Sequence, residues 1–361
     1  MALKKRSVFF GEFRLSSPVF RHALRAAIAI TAAIAVTQVL NLSHSVWVPI
    51  SVMVVMRPSL GGTLHISWKR LVGTAIGAGV GVILAWFHLP VPAIAAIVLL
   101  LFFFIFYFKG QNYLIFTAIL TADLVLILGT VFSHTWQGGA ERMLDTVLGI
   151  SIGLIASFLI WPNFARKNLR QEMGALIAAQ RRHFSQLRRT YFSDTPEGST
   201  LLAGRIKALA LLESCTEKFT DASIEPGLRS GQRQELVNLV DIFTRIHRTL
   251  TALASIVSKS KGVFHGRIRP EFEALMDSVD SKFSELEECA RTEDAAQKVQ
   301  NFNAEFSKFM VFLGEMRSQG EFERFSLDSR NNSSAFIRQI NRLGTELERA
   351  RNSIHTLRKA R

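Results

Sequence analysis

The chain has 361 residues, of which 48% are hydrophobic and 20% are charged, and its formal net charge is +14. Residues 1–162 hold 11 of the 43 Lys and Arg residues and 4 of the 29 Asp and Glu residues, so a membrane-like first part precedes a polar second part. Because the basic excess is divided between the two parts, composition argues against one nucleic-acid-binding block, and we expect no nucleic-acid partner.

Residues 1–22 are rich in Lys, Arg and Phe. We expect this segment to lie at the cytosolic surface of a membrane, with its basic side chains against anionic lipid headgroups. A disordered tail with scattered Phe residues is the alternative.

Apolar stretches follow within residues 23–162, at residues 23–42, 45–56, 71–88, 91–108, 113–132 and 143–161. About 20 apolar residues suit a membrane-spanning helix, and a single segment in lipid satisfies its backbone as a helix. The sequence therefore predicts a six-helix transmembrane domain over residues 23–162. The second stretch is short, so it must tilt or cover only part of the bilayer.

The distribution of Lys and Arg predicts the orientation of these helices. Basic residues lie before the first stretch, between the second and third, at Lys109 and after the sixth, whereas the alternate loops have none or only Arg142. By the positive-inside rule, both termini are expected in the cytosol.

One pattern, R-x3-T-x2-G-x3-G, occurs twice at an offset of 72 residues. It comprises Arg70, Thr74, Gly77 and Gly81, and then Arg142, Thr146, Gly149 and Gly153. Three predicted spans separate the copies, so we expect two inverted three-helix repeats, with Arg70 at the cytosolic start of its helix and Arg142 at the outer start. A repeated packing motif without transport is the alternative.

The glycines of these helices recur at intervals of four residues and so share one helix face. They are Gly73, Gly77 and Gly81 in the first copy, and Gly149 and Gly153 in the second. We expect close helix packing on these faces, with direct ligand contact as the alternative.

Basic residues near the third span are candidates for a substrate pathway. Arg57 lies where Pro58 and a glycine pair are expected to break the short second span, and Lys69 and Arg70 precede the third. Arginines and helix N-termini favour anions, which suggests a cationic vestibule. The alternative is charge that sets topology and reaches to the headgroups.

Asp123 lies inside the fifth span, where a carboxylate costs about 2.5–3.5 kcal/mol. It serves either proton coupling or gating, or a structural pair with a basic residue. Asp145 is expected to pair with Arg142 at i,i+3. Trp47, beside Pro49, belongs to an interfacial aromatic belt or stacks on an aromatic ligand.

After residue 162 the apolar residues follow the 3.6-residue period of amphipathic helices. Helices are predicted at residues 164–192, 200–222, 231–258, 270–290, 292–318 and 334–359, with turns at 194–198, 225–227, 260–262 and 331–333. We therefore expect a cytosolic α-helical domain over residues 163–361, and an all-α protein. Cys215 and Cys289 are expected to be free thiols of a cytosolic domain.

Two enzyme-like motifs occur in this sequence, but neither indicates an enzyme. Residues 149–153 match the G-x-S-x-G pattern, but they fall inside a predicted span and not in the strand–turn–helix that this motif requires. Residues 77–81 lack the lysine of a phosphate-binding loop. We expect no catalytic residue, no cofactor and no metal site.

The segments 47–77 and 142–153, with Trp47-Val-Pro, Arg57-Pro-Ser and the R-x2-G-T-x2-G element at Arg70, resemble the fusaric-acid-resistance family of bacterial membrane proteins. That family groups with aromatic acid exporters and, more distantly, with plant aluminium-activated malate transporters. The resemblance covers about residues 20–165. It implies an inner-membrane protein that moves organic or aromatic acids and has a cytosolic helical domain. By position, the pathway candidates that it implies are Arg57, Lys69, Arg70 and Arg142.

Many bacterial members of that family look longer and contain two membrane halves, so a homodimer would supply the second half here. We expect an exporter of small organic, aromatic acid anions, with the anion, membrane lipids, a second copy and a periplasmic adaptor protein as partners. A membrane-anchored helical scaffold or regulator, and a passive anion channel, remain alternatives.

Overall fold

The computed structural model describes residues 14–15, 17–42, 46–87, 89–132, 135–192, 198–259, 269–292, 302–324 and 326–359. These residues form α-helices and short 3-10 helices and contain no strand, which confirms the expected all-α class. The chain divides into two compact units, residues 1–165 and 166–361. Most of the basic aromatic segment 1–22 lies outside the described residues.

The first unit contains helices α1 to α6. Their bounds are α1 Pro18–Val39, α2 Trp47–Val55, α3 Leu60–Trp86, α4 Val91–Phe108, α5 Tyr113–Phe132 and α6 Thr135–Leu159. Among the described residues, four helices are long and apolar enough to cross a membrane: α1, α3, α4 and, over Gln137–Leu159, α6. In α5 the apolar part, Tyr113–Gly129, is shorter, and α2 has only nine residues.

Small side chains bring the helices of the first unit together. Helix α2 packs between α1 and α6, where Ala29, Ala33, Val48, Val52 and Ala156 form a buried cluster. Helix α3 packs along α5 and α6, and α4 packs on α5. Exposed Leu and Phe side chains cover α4, as expected for a helix that contacts lipid.

Two helices begin earlier than the apolar runs indicated. Helix α3 begins at Leu60, where the predicted run began at residue 71, and α6 begins at Thr135, where it began at residue 143. The Ser59 hydroxyl caps α3 by accepting a hydrogen bond from the Gly62 amide at 3.0 Å. The prediction that the glycine pair breaks the helix was wrong, because both glycines are buried in the first turn of α3 and the break lies at residues 56–59.

A short 3-10 helix, Ala165–Lys167, precedes the helices of the second unit. These are α7 Leu169–Phe192, α8 Gly198–Ile224, α9 Ser230–Lys259, α10 Arg269–Arg291, α11 Phe302–Ser318 and α12 Leu327–Lys359, with a 3-10 turn at Glu321–Arg324. Helix α9 packs on α8 and α12, and α10 packs on α7, α11 and α12. Phe272 of α10 lies at the centre of an aromatic cluster with Tyr191, Phe309 and Phe336.

The turn predicted at 225–227 is confirmed, because α8 ends at Ile224 and Gly227 has a φ of +95°. The turn predicted at 331–333 was wrong, since those residues lie inside α12. The apolar spacing that places Phe336, Ile340 and Leu343 in the core continues this helix from Leu327, and it outweighs the turn preference of the two asparagines. The predicted turn 260–262 and most of the turn 194–198 lie outside the described residues.

Candidate functional site

Two arginines contact the same helix, α2, inside the first unit. Arg70 lies ten residues after the start of α3, and Arg142 lies seven residues after the start of α6. The charges of their guanidinium groups are close enough to interact. The expectation that each arginine starts its helix was wrong, because both helices begin before the apolar runs. We call Arg70 and Arg142 the arginine pair.

Arg70 is held by two hydroxyl groups. Its Nη2 donates to Ser51 Oγ of α2 at 3.3 Å, and its Nη1 donates to Tyr113 Oη of α5 at 3.4 Å. Its buried Nε has no hydrogen-bond partner among the described residues. Arg70 also forms no ion pair with any carboxylate among the described residues. Its charge is thus only partly compensated by protein groups.

Arg142 is held differently, by an aromatic ring and a carboxylate. Its guanidinium carbon lies 3.4 Å from the centre of the Trp47 ring, and its Nη1 lies 3.8 Å from Asp145 Oδ2. Only 11% of the Arg142 side chain is exposed. The predicted i,i+3 pair with Asp145 is confirmed, and Arg142 covers one face of the Trp47 ring.

Helix α2 brings the arginine pair together. Its residues Trp47 and Ser51 are one helical turn apart and contact Arg142 and Arg70 respectively. Moreover, each arginine contacts the aromatic residue that begins a neighbouring helix, since Trp47 is the first residue of α2 and Tyr113 the first of α5. The two contacts are thus equivalent in the two copies of the motif.

Such a pair can bind an anion. Two guanidinium groups in an apolar unit gain most from a ligand that carries carboxylate oxygens, because paired and hydrogen-bonded charge offsets the loss of hydration. Glu141 and Asp145 supply some of this compensation to Arg142. Arg70 is left with hydroxyl partners, so it is the more available cation of the two.

The glycines of α3 lie directly against α5. A Cβ added to Gly77 would lie 2.2 Å from the Ala118 carbonyl oxygen and 2.8 Å from Thr121 Cβ, and one added to Gly81 would lie 2.8 Å from Val125 Cβ. Such short separations mean that the two backbones touch without intervening side chains.

The glycines of α6 lie against α2 in the same way. A Cβ added to Gly149 would lie 2.9 Å from the Val48 carbonyl oxygen and 2.4 Å from Ser51 Cβ, and one added to Gly153 would lie 3.0 Å from Val55 Cγ2. Val48, Ser51 and Val55 therefore occupy the positions that Ala118, Thr121 and Val125 occupy opposite α3, at a constant offset of 70 residues.

Arg25, near the start of the first predicted span, has a structural role. It is 2% exposed, and its guanidinium donates to the carbonyl oxygens of Arg57 at 2.8 Å, Pro58 at 3.1 Å and Trp161 at 3.4 Å. Asn163 also bonds there, since its Nδ2 donates to the Pro58 carbonyl at 3.1 Å. These bonds fix the break between α2 and α3 to the end of α6.

The other predicted pathway residues lie apart from the arginine pair. The Arg57 side chain is exposed at the break, where its charge acts on His22, and its backbone makes the contacts. Lys69 is half-buried and forms no ion pair with the described residues. Asp123 is 3% exposed, but it lies ten residues after Tyr113, about 15 Å along α5.

Sequence reasoning missed three residues: Arg25, Ser51 and Tyr113. An arginine beside an apolar run was a signal for Arg25, because a charge at that depth requires partners. No sequence pattern indicated the contact of Tyr113 with Arg70, because Tyr113 is simply the first residue of a helix. Within the described part of the chain, no group of three or more His, Cys, Asp and Glu side chains could hold a metal ion.

Residues 31–156 match the family model of fusaric acid resistance protein-like proteins. The chain is similar to inner membrane protein YccS of Escherichia coli K12, with 26% identity over 50% of this chain and 25% of that protein. It is also similar to the uncharacterized transporter YdhK of that strain, with 29% identity over 39% of this chain and 22% of that protein. An uncharacterized membrane protein of Bacillus subtilis, YvaC, is 28% identical over 48% of this chain and 28% of that protein.

The chain thus spans about a quarter of the length of these relatives. The match covers α2 to α5 completely, and with them both arginines and the five glycines of the repeated faces. The resemblance to the fusaric acid resistance protein-like family of membrane proteins is thus confirmed over residues 31–156.

Proposed function

We propose that the first unit carries small organic anions across the bacterial inner membrane, with the arginine pair as the anion-binding site. The observation that carries this proposal is that Arg70 and Arg142 both contact α2 inside an apolar unit, where Arg70 has hydroxyl partners but no carboxylate among the described residues.

Two inverted three-helix repeats, α1–α3 and α4–α6, form the architecture in this proposal. The packing described above supports it, because the third helix of each half lies against the second helix of the other. The repeated arginine motif supports it as well, since each arginine contacts the aromatic residue that begins the second helix of the other half. Such an exchange is what a pseudo-two-fold axis in the membrane plane produces.

The depth of the arginine pair fits this architecture. Arg70 lies ten residues into α3, which is about 15 Å along the helix axis, or half of a hydrocarbon core about 30 Å thick. Transporters with inverted repeats bind their substrates near the midplane, between the repeats. We place the substrate carboxylate between Arg70 and Arg142 on this basis.

Aromatic acids are the proposed substrates, and export is the proposed direction. The rings of Trp47 and Tyr113 adjoin the arginine pair and offer apolar faces to a ring-bearing anion. Export fits a second unit on the cytosolic side, the location that the basic residues after Pro162 favour.

Transport by the purified chain in liposomes tests the proposal. We expect flux of labelled aromatic acids, and we expect Arg70→Gln and Arg142→Gln to lower it about 10–100-fold, as the loss of a charge-assisted hydrogen bond implies. Lys109→Gln is the matched control, because it removes one positive charge from the exposed end of α4. Vesicles of known orientation determine the direction.

Three results would contradict parts of this proposal. Full flux in both arginine variants would exclude the arginine pair as the site. No flux with a broad panel of aromatic and aliphatic acids would favour the scaffold or regulator. Flux that does not depend on pH or ion gradients, both in the unmodified chain and in the Asp123→Asn variant, would indicate a passive channel.

A further inference from the structure

The second unit contains a cavity of about 410 Å³ with a basic rim and an apolar floor. Its walls come from the start of α7, the turn between α8 and α9, and the last turns of α10 and α12. This volume lies within the range of about 300–1,000 Å³ that is common for small-molecule sites.

The rim carries four arginines from three parts of the unit. They are Arg166 and Arg170 near the start of α7, Arg229 before α9, and Arg358 near the end of α12. None of the described residues that line the cavity is acidic. The carboxylate of Glu225 is nearby, but it accepts a hydrogen bond from the Arg166 backbone amide at 3.4 Å.

Part of this rim is fixed in place by the backbone. The Arg166 Nη1 donates to the Pro226 carbonyl oxygen at 3.3 Å, and the Arg358 Nη2 donates to that of Thr292. Gly227, with a φ of +95°, lets the turn pass close to the Arg166 guanidinium, 3.0 Å from where a Cβ would lie. The arginines therefore converge on the cavity through the fold of the unit.

The floor is apolar and closely packed. Leu169, Met173, Leu236, Ala290 and Ile354 contribute to it, and each is 7% exposed or less. Cys289 also lines the cavity. An apolar floor beneath several guanidinium groups matches a ligand with an apolar body and one anionic head, because each part of that ligand is then satisfied.

We propose that this cavity is a second binding site, for an amphipathic anion whose carboxylate or phosphate head lies among the arginines and whose apolar body lies on the floor. The ligand comes either from a free organic acid or from an anionic lipid, since both present this chemistry. The site is separate from the arginine pair of the first unit, and it does not depend on the proposed transport.

Thiol labelling of the intact chain in detergent offers a local test. Cys289 lines the cavity, whereas Cys215 does not line it, and burial raises the pKa of the Cys215 thiol to about 12. We expect 2-naphthoate to slow the labelling of Cys289 severalfold and to leave that of Cys215 unchanged. The uncharged amide 2-naphthamide is expected to have no effect.

Variants distinguish the contribution of the rim arginines from that of the overall positive charge. We expect the double variant Arg170→Gln, Arg229→Gln to need at least about tenfold more 2-naphthoate for the same protection of Cys289. Arg182→Gln, an exposed change on the same helix α7, is expected to keep binding intact. Arg142→Gln is expected to keep the protection of Cys289, which distinguishes this site from the one in the first unit.

Nanodiscs distinguish the two sources of the ligand. Protection of Cys289 by phosphatidylglycerol nanodiscs, but not by phosphatidylcholine ones, would assign a lipid, and protection by 2-naphthoate would assign a free acid. Absence of both effects would overturn the proposal. Equal protection by 2-naphthamide would also overturn it, and so would unchanged protection of Cys289 by 2-naphthoate in the double arginine variant.

Discussion

Replacement of Gly77 by alanine tests the contact between α3 and α5. The new Cβ would lie 2.2 Å from the Ala118 carbonyl oxygen and 2.8 Å from Thr121 Cβ, whereas ordinary van der Waals contact begins at 3.4 Å. Since backbone atoms cannot turn aside as a flexible side chain can, the helices must separate by roughly 1 Å. Such overpacking typically costs about 1–3 kcal/mol of unfolding free energy.

Gly79 supplies the matched control on the same helix. A Cβ at this position meets no atom within 4 Å, so Gly79→Ala adds a better helix former at no steric cost. We expect it to leave stability unchanged or to raise it by up to about 1 kcal/mol. Gly73→Ala, with its closest contact at 2.9 Å, is expected to fall between the two.

Tryptophan fluorescence during denaturation in detergent measures these differences. All five Trp residues lie within residues 1–165, so their signal reports the first unit. The expected order of stability is Gly79→Ala, then Gly73→Ala, then Gly77→Ala. Equal stability of the Gly77 and Gly79 variants would refute the close approach of α3 and α5.

Three further predictions concern buried charge. Arg25→Gln is expected to lower the stability of the first unit by about 3 kcal/mol in the same fluorescence assay, because three carbonyl groups lose a charged donor. Burial lowers the pKa of His183 to about 4, so the unfolded chain binds a proton that the folded chain does not as pH falls from 6.5 towards 4. Stability of the second unit should therefore decrease by up to about 3 kcal/mol across that window and stay constant above it. Denaturant-dependent thiol labelling checks this, and His183→Gln should reduce the slope of the profile, whose remainder comes from His247, since burial lowers its pKa as well. Arg245→Met is expected to cost about 1–3 kcal/mol, because it removes the less exposed of the two arginines, Arg245 and Arg349, that pair with buried Glu346 at 3.0 Å. Lys308→Met, at an exposed pair, should stay within about 0.5 kcal/mol under the same labelling.

Local patterns in the sequence were sufficient for the helical class, for the apolar character of the first part and for the resemblance to the fusaric acid resistance family. These features depend on composition and on spacing within one helix. The pair of Arg142 with Asp145 could be predicted for the same reason, because an i,i+3 separation fixes the distance of the two side chains in any helix.

Helix starts were harder to predict than helix interiors. Charged residues ended the apolar run before Leu71, yet α3 begins eleven residues earlier, where Ser59 caps it. Burial against neighbouring helices stabilises the first turns of α3, and composition does not indicate which neighbours will be present. The positions of Arg70 and Arg142 along their helices followed from these starts.

The sequence by itself determined that an arginine precedes each of the two glycine-lined helix faces, because the repeat consists of the same residue types at a fixed offset. Only the tertiary structure decided that these arginines meet on α2, and that Arg25 fixes the break beside it. The contacts of Arg70 and Arg25 join residues that are 19 to 136 positions apart, and such pairs depend on how the helices pack. Packing is a property of the whole unit, so no local pattern in the chain encodes it.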